Sequence, residues 1–171
     1  LSMPEEYCGM GGDYRHEVVL MEQIGLQGVD GFDIGLHNGI VAPYILHYGT
    51  EEQKRRWLPR MATGELVTAI AMTEPGAGSD LQGIKTAARL DGNEYVLNGS
   101  KTFITNGQTA NLIIVVCKTD PAQGARGTAL LVVETDGADG GYRGRYRYMR
   151  GQEAADTSEL FFNDVRVPTV N

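Results

Sequence analysis

The hydrophobic pattern of the 171-residue chain changes period at Gly64. Before that glycine, apolar residues recur at helical spacing. After it they form short runs that alternate or are apolar throughout, as strands do. Helices first and strands second do not build a repeated strand–helix–strand sheet. The pattern predicts an α+β chain: N-terminal helices over residues 1–65, then an antiparallel β-barrel or sandwich over residues 66–171.

Within the helical part, YRHEVVLMEQIGLQG (14–28) places apolar residues at 18, 21 and 24–26, close to one helix face. A second helical segment is expected over DIGLHNGIVAPYILHYG (33–49), with Pro43 as a kink or boundary. Thr50-Glu51-Glu52-Gln53 matches a capping box that opens a helix from Glu51 to about Ala62, with Gly64 as its stop. Strands are expected at Leu66–Met72, Ile84–Leu90, Glu94–Leu97, Thr102–Thr105, Leu112–Lys118, Thr128–Glu134 and Ser158–Phe162. Asp91-Gly92-Asn93 and Asn98-Gly99 read as turns, because both offer residues that tolerate positive φ. Pro121–Gly127 and Gly137–Gly144 read as surface loops, and there is no internal repeat.

Composition narrows the function classes. With 42% hydrophobic and 22% charged residues, the chain is of ordinary globular type. The net charge of −7 argues against broad electrostatic binding to nucleic acid or to an anionic membrane. No apolar run approaches the length of a membrane span, and there is no signal-peptide pattern. The two cysteines, Cys8 and Cys117, stand in no metal-ligand or disulfide spacing, and Cys117 lies in the apolar run LIIVVC. A reducing compartment is therefore expected. His16, His37 and His47 have no ligand spacing either, so no metal is expected. The start at Leu1 and the stop at Asn171 suggest a segment of a longer protein.

Two stretches carry chemistry. AMTEPGAGSD (71–80) ends a buried strand in a permissive, polar loop. Gly76 and Gly78 let main-chain amides approach a ligand without interference from a Cβ, and successive amides form a nest suited to phosphate. The Ser79 hydroxyl adds a donor. On spacing alone a plain strand-ending turn, capped by Ser79 or Asp80, is the favoured reading, since no P-loop lysine follows. In NGSKTFITNG (98–107), alternation puts Phe103 and Thr105 on one face and Ile104 on the other. A ring beside a hydroxyl suits a planar polar cofactor. Alternatively Phe103 lies in the core and Thr105 is exposed.

Together these stretches resemble the acyl-CoA dehydrogenase family. TEPGAGSD (73–80) and LNGSKTFITN (97–106) match its TEPxAGSD and LNGxKxWITN motifs. YGTEEQKRRWLPRMATGE (48–65) is similar to the family's link from its helical N-terminal domain, and DTSELFFNDVRVP (156–168) to its last β-domain strand. LHNGIVAPYI and AIAMTEPGAGSDLQGIKT are most similar to the long-chain branch. The likeness runs from about Pro4 to Asn171. It leaves out the first part of the N-terminal helical domain and the whole C-terminal helical domain.

The resemblance implies FAD as cofactor and an acyl-CoA thioester as substrate. Ile70, Ala71, Met72 and Thr73 match the strand whose main chain and threonine hydroxyl bond the pyrimidine edge of the flavin. Gly78 and Ser79 match positions at the pyrophosphate, and Ser79 also a contact to the CoA side of the substrate. Phe103 stands for the usual tryptophan over the flavin, Ile104 follows it, and Thr105 matches the hydroxyl near flavin N5. The implied reaction is α,β-dehydrogenation to a trans-2-enoyl-CoA, with electron-transfer flavoprotein as acceptor and a homotetramer as assembly. An acyl-CoA oxidase and a non-catalytic binding relative are the alternatives. The family's catalytic glutamate usually lies in the C-terminal domain, so the base is unassigned and the chain alone is expected to be inactive. Glu74, Glu153 and Glu159 do not match that motif, and Glu74 is expected to make a structural hydrogen bond or salt bridge. The resemblance implies the cytoplasm of a bacterium or the mitochondrial matrix of a eukaryote, and the sequence does not decide between them. In GRYRYMRGQEAADTSEL (144–160), Tyr146, Arg147, Tyr148 and Arg150 invert the family's alternation, which puts local strand register in question.

Overall fold

A computed structural model describes residues 1–29, 31–32, 34–137, 141–146 and 155–171. The inverted alternation at 147–150 and the carboxylate of Glu153 lie outside the described residues. The chain divides into a helical unit, Leu1–Thr68, and a sheet unit that begins at Ala69.

In the helical unit, α1 (Tyr14–Gln27) is opened by a capping box between Asp13 and His16 and closed by Gly28 in the left-handed region. The expected segment over 33–49 is α2 (Ile34–Leu36), a π-helical turn (His37–Val41) and α3 (Ala42–Tyr48). Pro43 has no N–H to continue the ladder, and it sits in the first turn of α3. Just before it the Ala42 N–H reaches the His37 carbonyl, five residues back. The Thr50–Gln53 capping box is present, with donor–acceptor distances of 3.2 and 2.8 Å, and α4 (Glu51–Ala62) buries Trp57, Leu58 and Met61. The apolar residues of α1 are largely uncovered. Among its residues only Glu17 is buried, while Val18, Val19, Met21 and Leu26 are exposed, Leu26 at 71%.

The sheet unit is built on one seven-stranded sheet: β1 (Thr68–Ala71), β2 (Ala87–Asp91), β3 (Glu94–Thr105), β4 (Leu112–Lys118), β5 (Thr128–Glu134), β6 (Arg143–Tyr146) and β7 (Thr157–Pro168). Its order is β1-β4-β2-β3-β7-β6, with β5 also on β4. The α+β class stands. The sheet is mixed rather than purely antiparallel, because β2 meets β4 in parallel at Ala87–Lys118. The Asp91-Gly92-Asn93 turn joins β2 to β3 as expected. The core centres on β4, buried from Leu112 to Cys117, packed with Leu97, Leu160 and Val165.

Two strand expectations are corrected. Asn98-Gly99 is not a turn; it is a bulge inside a continuous β3. The Asn98 amide donates to the Asp164 carboxylate (3.0 Å) and the Asp164 N–H donates back to Asn98 Oδ1 (2.9 Å). The bulge is thus locked against β7. Gly99 has φ +149, and a Cβ there would lie 2.4 Å from Thr86 Oγ1, so Thr86 occupies the place of a side chain. Arg143 and Gly144, expected in a loop, open β6, whose glycine-flanked, charged residues have no apolar alternation to announce it.

Gly99→Ala is expected to cost about 1–3 kcal/mol or more, because it both overpacks Thr86 and strains φ. Chemical denaturation measures it; a change within error would mean the bulge is plastic.

Candidate functional site

β1 ends at Ala71, and the chain turns into the glycine-rich loop. The Glu74 N–H donates to the Ala77 carbonyl (2.9 Å) and the Ala77 N–H to the Glu74 carbonyl (3.1 Å), which leaves Pro75 and Gly76 at the tip. Asp80 caps the following turn, accepting from the Gln82 N–H at 3.0 Å. Gly76 and Gly78 do not adopt positive φ, and a Cβ at either would meet no protein atom within 4 Å. Neither the backbone nor internal packing therefore requires glycine at these positions. The space they keep open is outside the chain.

The carboxylate of Glu74 is 7% exposed and fully engaged. It accepts from the Lys85 N–H (2.6 Å) and the Thr86 N–H (3.0 Å), and it pairs with Lys101 Nζ at 3.0 Å. Lys101, 1% exposed, also donates to the Met72 carbonyl at 2.9 Å. Burial works against the charged form of Glu74. The hydrogen bonds from Thr86 and Lys85 and the Lys101 ammonium outweigh it and hold the carboxyl below its ordinary range. Burial pulls the Lys101 ammonium down, with Glu74 opposing.

Next along β3, the Thr102 N–H donates to the Thr73 carbonyl at 2.9 Å. Register slips between Lys101 and Ile104, so Lys101 and Thr102 are both buried in succession. Phe103 takes up the slip at φ +58 and turns out, 54% exposed. Ile104 is buried and Thr105 half-buried, so Phe103 and Thr105 stand opposite Ile104 as alternation predicts. The alternative of Phe103 in the core is excluded. Beyond Thr105, the Asp156 carboxylate fixes the next turn by accepting from Gln108 N–H (2.7 Å), Thr109 N–H (2.9 Å) and the Thr109 hydroxyl (3.1 Å).

The nine residues singled out by sequence fall into three groups. Ile70, Ala71 and Ile104 have buried side chains and can offer a ligand only main-chain atoms. Met72, Thr73 and Thr105 are half-buried, and Gly78, Ser79 and Phe103 are exposed. The hydroxyls of Thr73, Ser79 and Thr105 have no hydrogen-bond partner among the described residues. The pairing of Thr73 with Thr102 brings the two motifs side by side. A cleft of about 520 Å³ lies along Glu74–Gly76, Lys85–Thr86 and Gly99–Ser100; Gly78, Ser79, Phe103 and Thr105 do not line it. Lys101 and Thr102, which join the motifs, were not among the nine. A lysine among the polar and small residues of β3, and a glutamate three residues past the end of β1, were the available signal.

Lys101→Met leaves a buried carboxylate without its cation and is expected to cost about 3–5 kcal/mol. The double variant K101M/E74Q should lose less than the sum of the singles. Urea unfolding of the four proteins checks this, and additive losses would contradict the coupling. Because folding depresses the Glu74 pKa, its stabilisation is full above the ordinary carboxylate range and is lost as pH falls through the folded value. Glu74→Gln should therefore flatten the acid limb of the stability profile.

Residues 1–65 match the acyl-CoA dehydrogenase N-terminal domain and residues 69–165 the acyl-CoA dehydrogenase middle domain. The long-chain specific acyl-CoA dehydrogenase of mouse mitochondria is 45% identical over 98% of the chain, which spans 39% of that relative. A crystal structure of acyl-CoA dehydrogenase from Geobacillus kaustophilus superposes with a TM-score of 0.94 at 53% identity, covering 99% of this chain and 45% of that one. A glutaryl-CoA dehydrogenase from Mycobacterium smegmatis, solved in complex with FADH2, gives 0.71 at 36% identity, with 78% of this chain and 33% of that one covered. The chain therefore spans less than half the length of these relatives. With both domain descriptions matched, the chain belongs to the acyl-CoA dehydrogenase family.

Proposed function

We propose that the full-length protein catalyses FAD-dependent α,β-dehydrogenation of acyl-CoA thioesters, with residues 66–171 as the flavin-binding domain and 1–65 as part of a helical domain. The observation that carries this reading is the hydrogen bond from Thr102 to Thr73, which sets the open glycine loop beside the Phe103–Thr105 wall. Three hydroxyls without a partner among the described residues, an outward aromatic ring and glycines with no internal role together fit a flavin dinucleotide.

In this reading the main chain of Ile70–Thr73 and the Thr73 hydroxyl hold the pyrimidine edge. Gly78 and Ser79 receive the pyrophosphate, where a charge-assisted hydrogen bond is at its strongest. The Phe103 ring covers the flavin face, with Ile104 contributing main chain and the Thr105 hydroxyl bonding the flavin edge. Ser79 also faces the CoA side of the substrate. The bound flavin supplies the two-electron acceptor for the β hydrogen. The protein's task is to align the α and β C–H bonds of the acyl chain, which is positioning work. Glu74 is not the base that takes the α proton: its oxygens are committed to Lys85, Thr86 and Lys101. Glu159 pairs with Arg145. Electron-transfer flavoprotein as acceptor and a homotetramer as assembly accompany this reading.

Anaerobic addition of a long-chain acyl-CoA to the full-length protein with FAD should bleach the flavin, whereas residues 1–171 alone should give no turnover. Reoxidation should be fast with electron-transfer flavoprotein and slow with oxygen; the reverse would make the protein an oxidase. Ser79→Ala should weaken FAD retention by about tenfold or more, from one lost hydrogen bond to a charged group. Absence of flavin binding by the full-length wild type would overturn the proposal.

A further inference from the structure

We infer that Lys101 is a positioning residue for the flavin site, acting through the Met72 carbonyl, Glu74 and the backbone turn at Phe103. The inference rests on the flavin reading above and goes beyond it, since Lys101 is 1% exposed and its side chain offers a ligand no surface.

Two ties meet at this lysine and a third at its neighbour. Its ammonium holds the Met72 carbonyl at 2.9 Å and the Glu74 carboxylate at 3.0 Å. Glu74 in turn holds the main chain of Lys85 and Thr86, at the entry to β2. The next residue, Thr102, holds the Thr73 carbonyl at 2.9 Å. Two neighbouring residues of β3 thus grip two neighbouring carbonyls of the cofactor segment, one through a side chain and one through the backbone. A regular strand would point Lys101 and Thr102 to opposite faces. Both are buried, and the chain regains its alternation only through Phe103, in the left-handed region at φ +58.

That conformation is unfavourable for an aromatic residue and persists where its surroundings over-determine it. Lys101 and Thr102 on one side and buried Ile104 on the other are those surroundings. Without the Lys101 tie, Phe103 can relax toward the extended region. Its ring then leaves the position that covers the flavin, and the carbonyls of Met72 and Thr73 lose their fixed spacing. The lysine therefore sets the shape of the site from behind.

The test compares the full-length wild-type protein with its K101M/E74Q variant, which removes both buried charges and so avoids an unpaired one. Far-UV circular dichroism and thermal unfolding establish that the variant is folded. FAD titration and the visible spectrum of the bound flavin then read out the site. The dissociation constant is expected to rise about tenfold, as for a site competent only about a tenth of the time, and the flavin band to lose its wild-type shape. Lys101→Arg is the second variant. It keeps the charge opposite Glu74 but not the compact ammonium, and should bind FAD with intermediate affinity even if the double variant does not fold. Wild-type affinity and spectrum in either folded variant overturn the positioning role alone. A wild type that binds no FAD overturns the flavin reading and this inference with it.

Discussion

One buried ion pair ties the sheet unit together. Lys101 and Glu74 sit on segments far apart in sequence, and neither can be left alone in the interior. The cost of taking both charges out of water is offset only because every strong partner is in place: a carbonyl for the ammonium, two amides for the carboxylate. A hydrophobic pair could fill the same volume, but it could not specify which carbonyl and which amides meet. Through this pair the end of β1, the entry to β2 and the far half of β3 hold one arrangement.

The second constraint is that β3 is interrupted twice without being broken. At Gly99 the strand yields to Thr86, and at Phe103 it yields to the double grip on residues 72 and 73. Each bulge re-aims the side chains that follow it. The first is locked from β7 by Asp164, itself at positive φ, and the second by the contacts behind Lys101. Around these departures the remainder of the sheet is regular, with β4 as a continuous apolar spine. Irregularity is concentrated where the two motifs meet.

Much of this was legible in the sequence, for local reasons. The period change at Gly64, the Thr50–Gln53 cap and the ends of β4 and β5 depend on residues a few positions apart. What stayed hidden depends on distant partners. Asn-Gly serves equally as a hairpin turn or a bulge, and the choice at Asn98 is made by Asp164. β6 exists because β7 offers it an edge. In the site, the residue types were readable: glycines, hydroxyls and a ring. Their juxtaposition was not: Glu74 read as a structural hydrogen-bond or salt-bridge residue, but nothing in the sequence named Lys101 as its partner.

The two cysteines have a further consequence. Cys8 is exposed, whereas Cys117 is fully buried near the end of β4, and burial pushes its thiol up to about 11 even with Lys101 drawing it down. A thiol that is both shielded and protonated does not react with alkylating reagents until its strand opens. Cys8 is accessible in the native state and serves as the internal reference. The chain thus carries its own chemical gauge of how often the central spine of the sheet comes apart, readable without introducing a label.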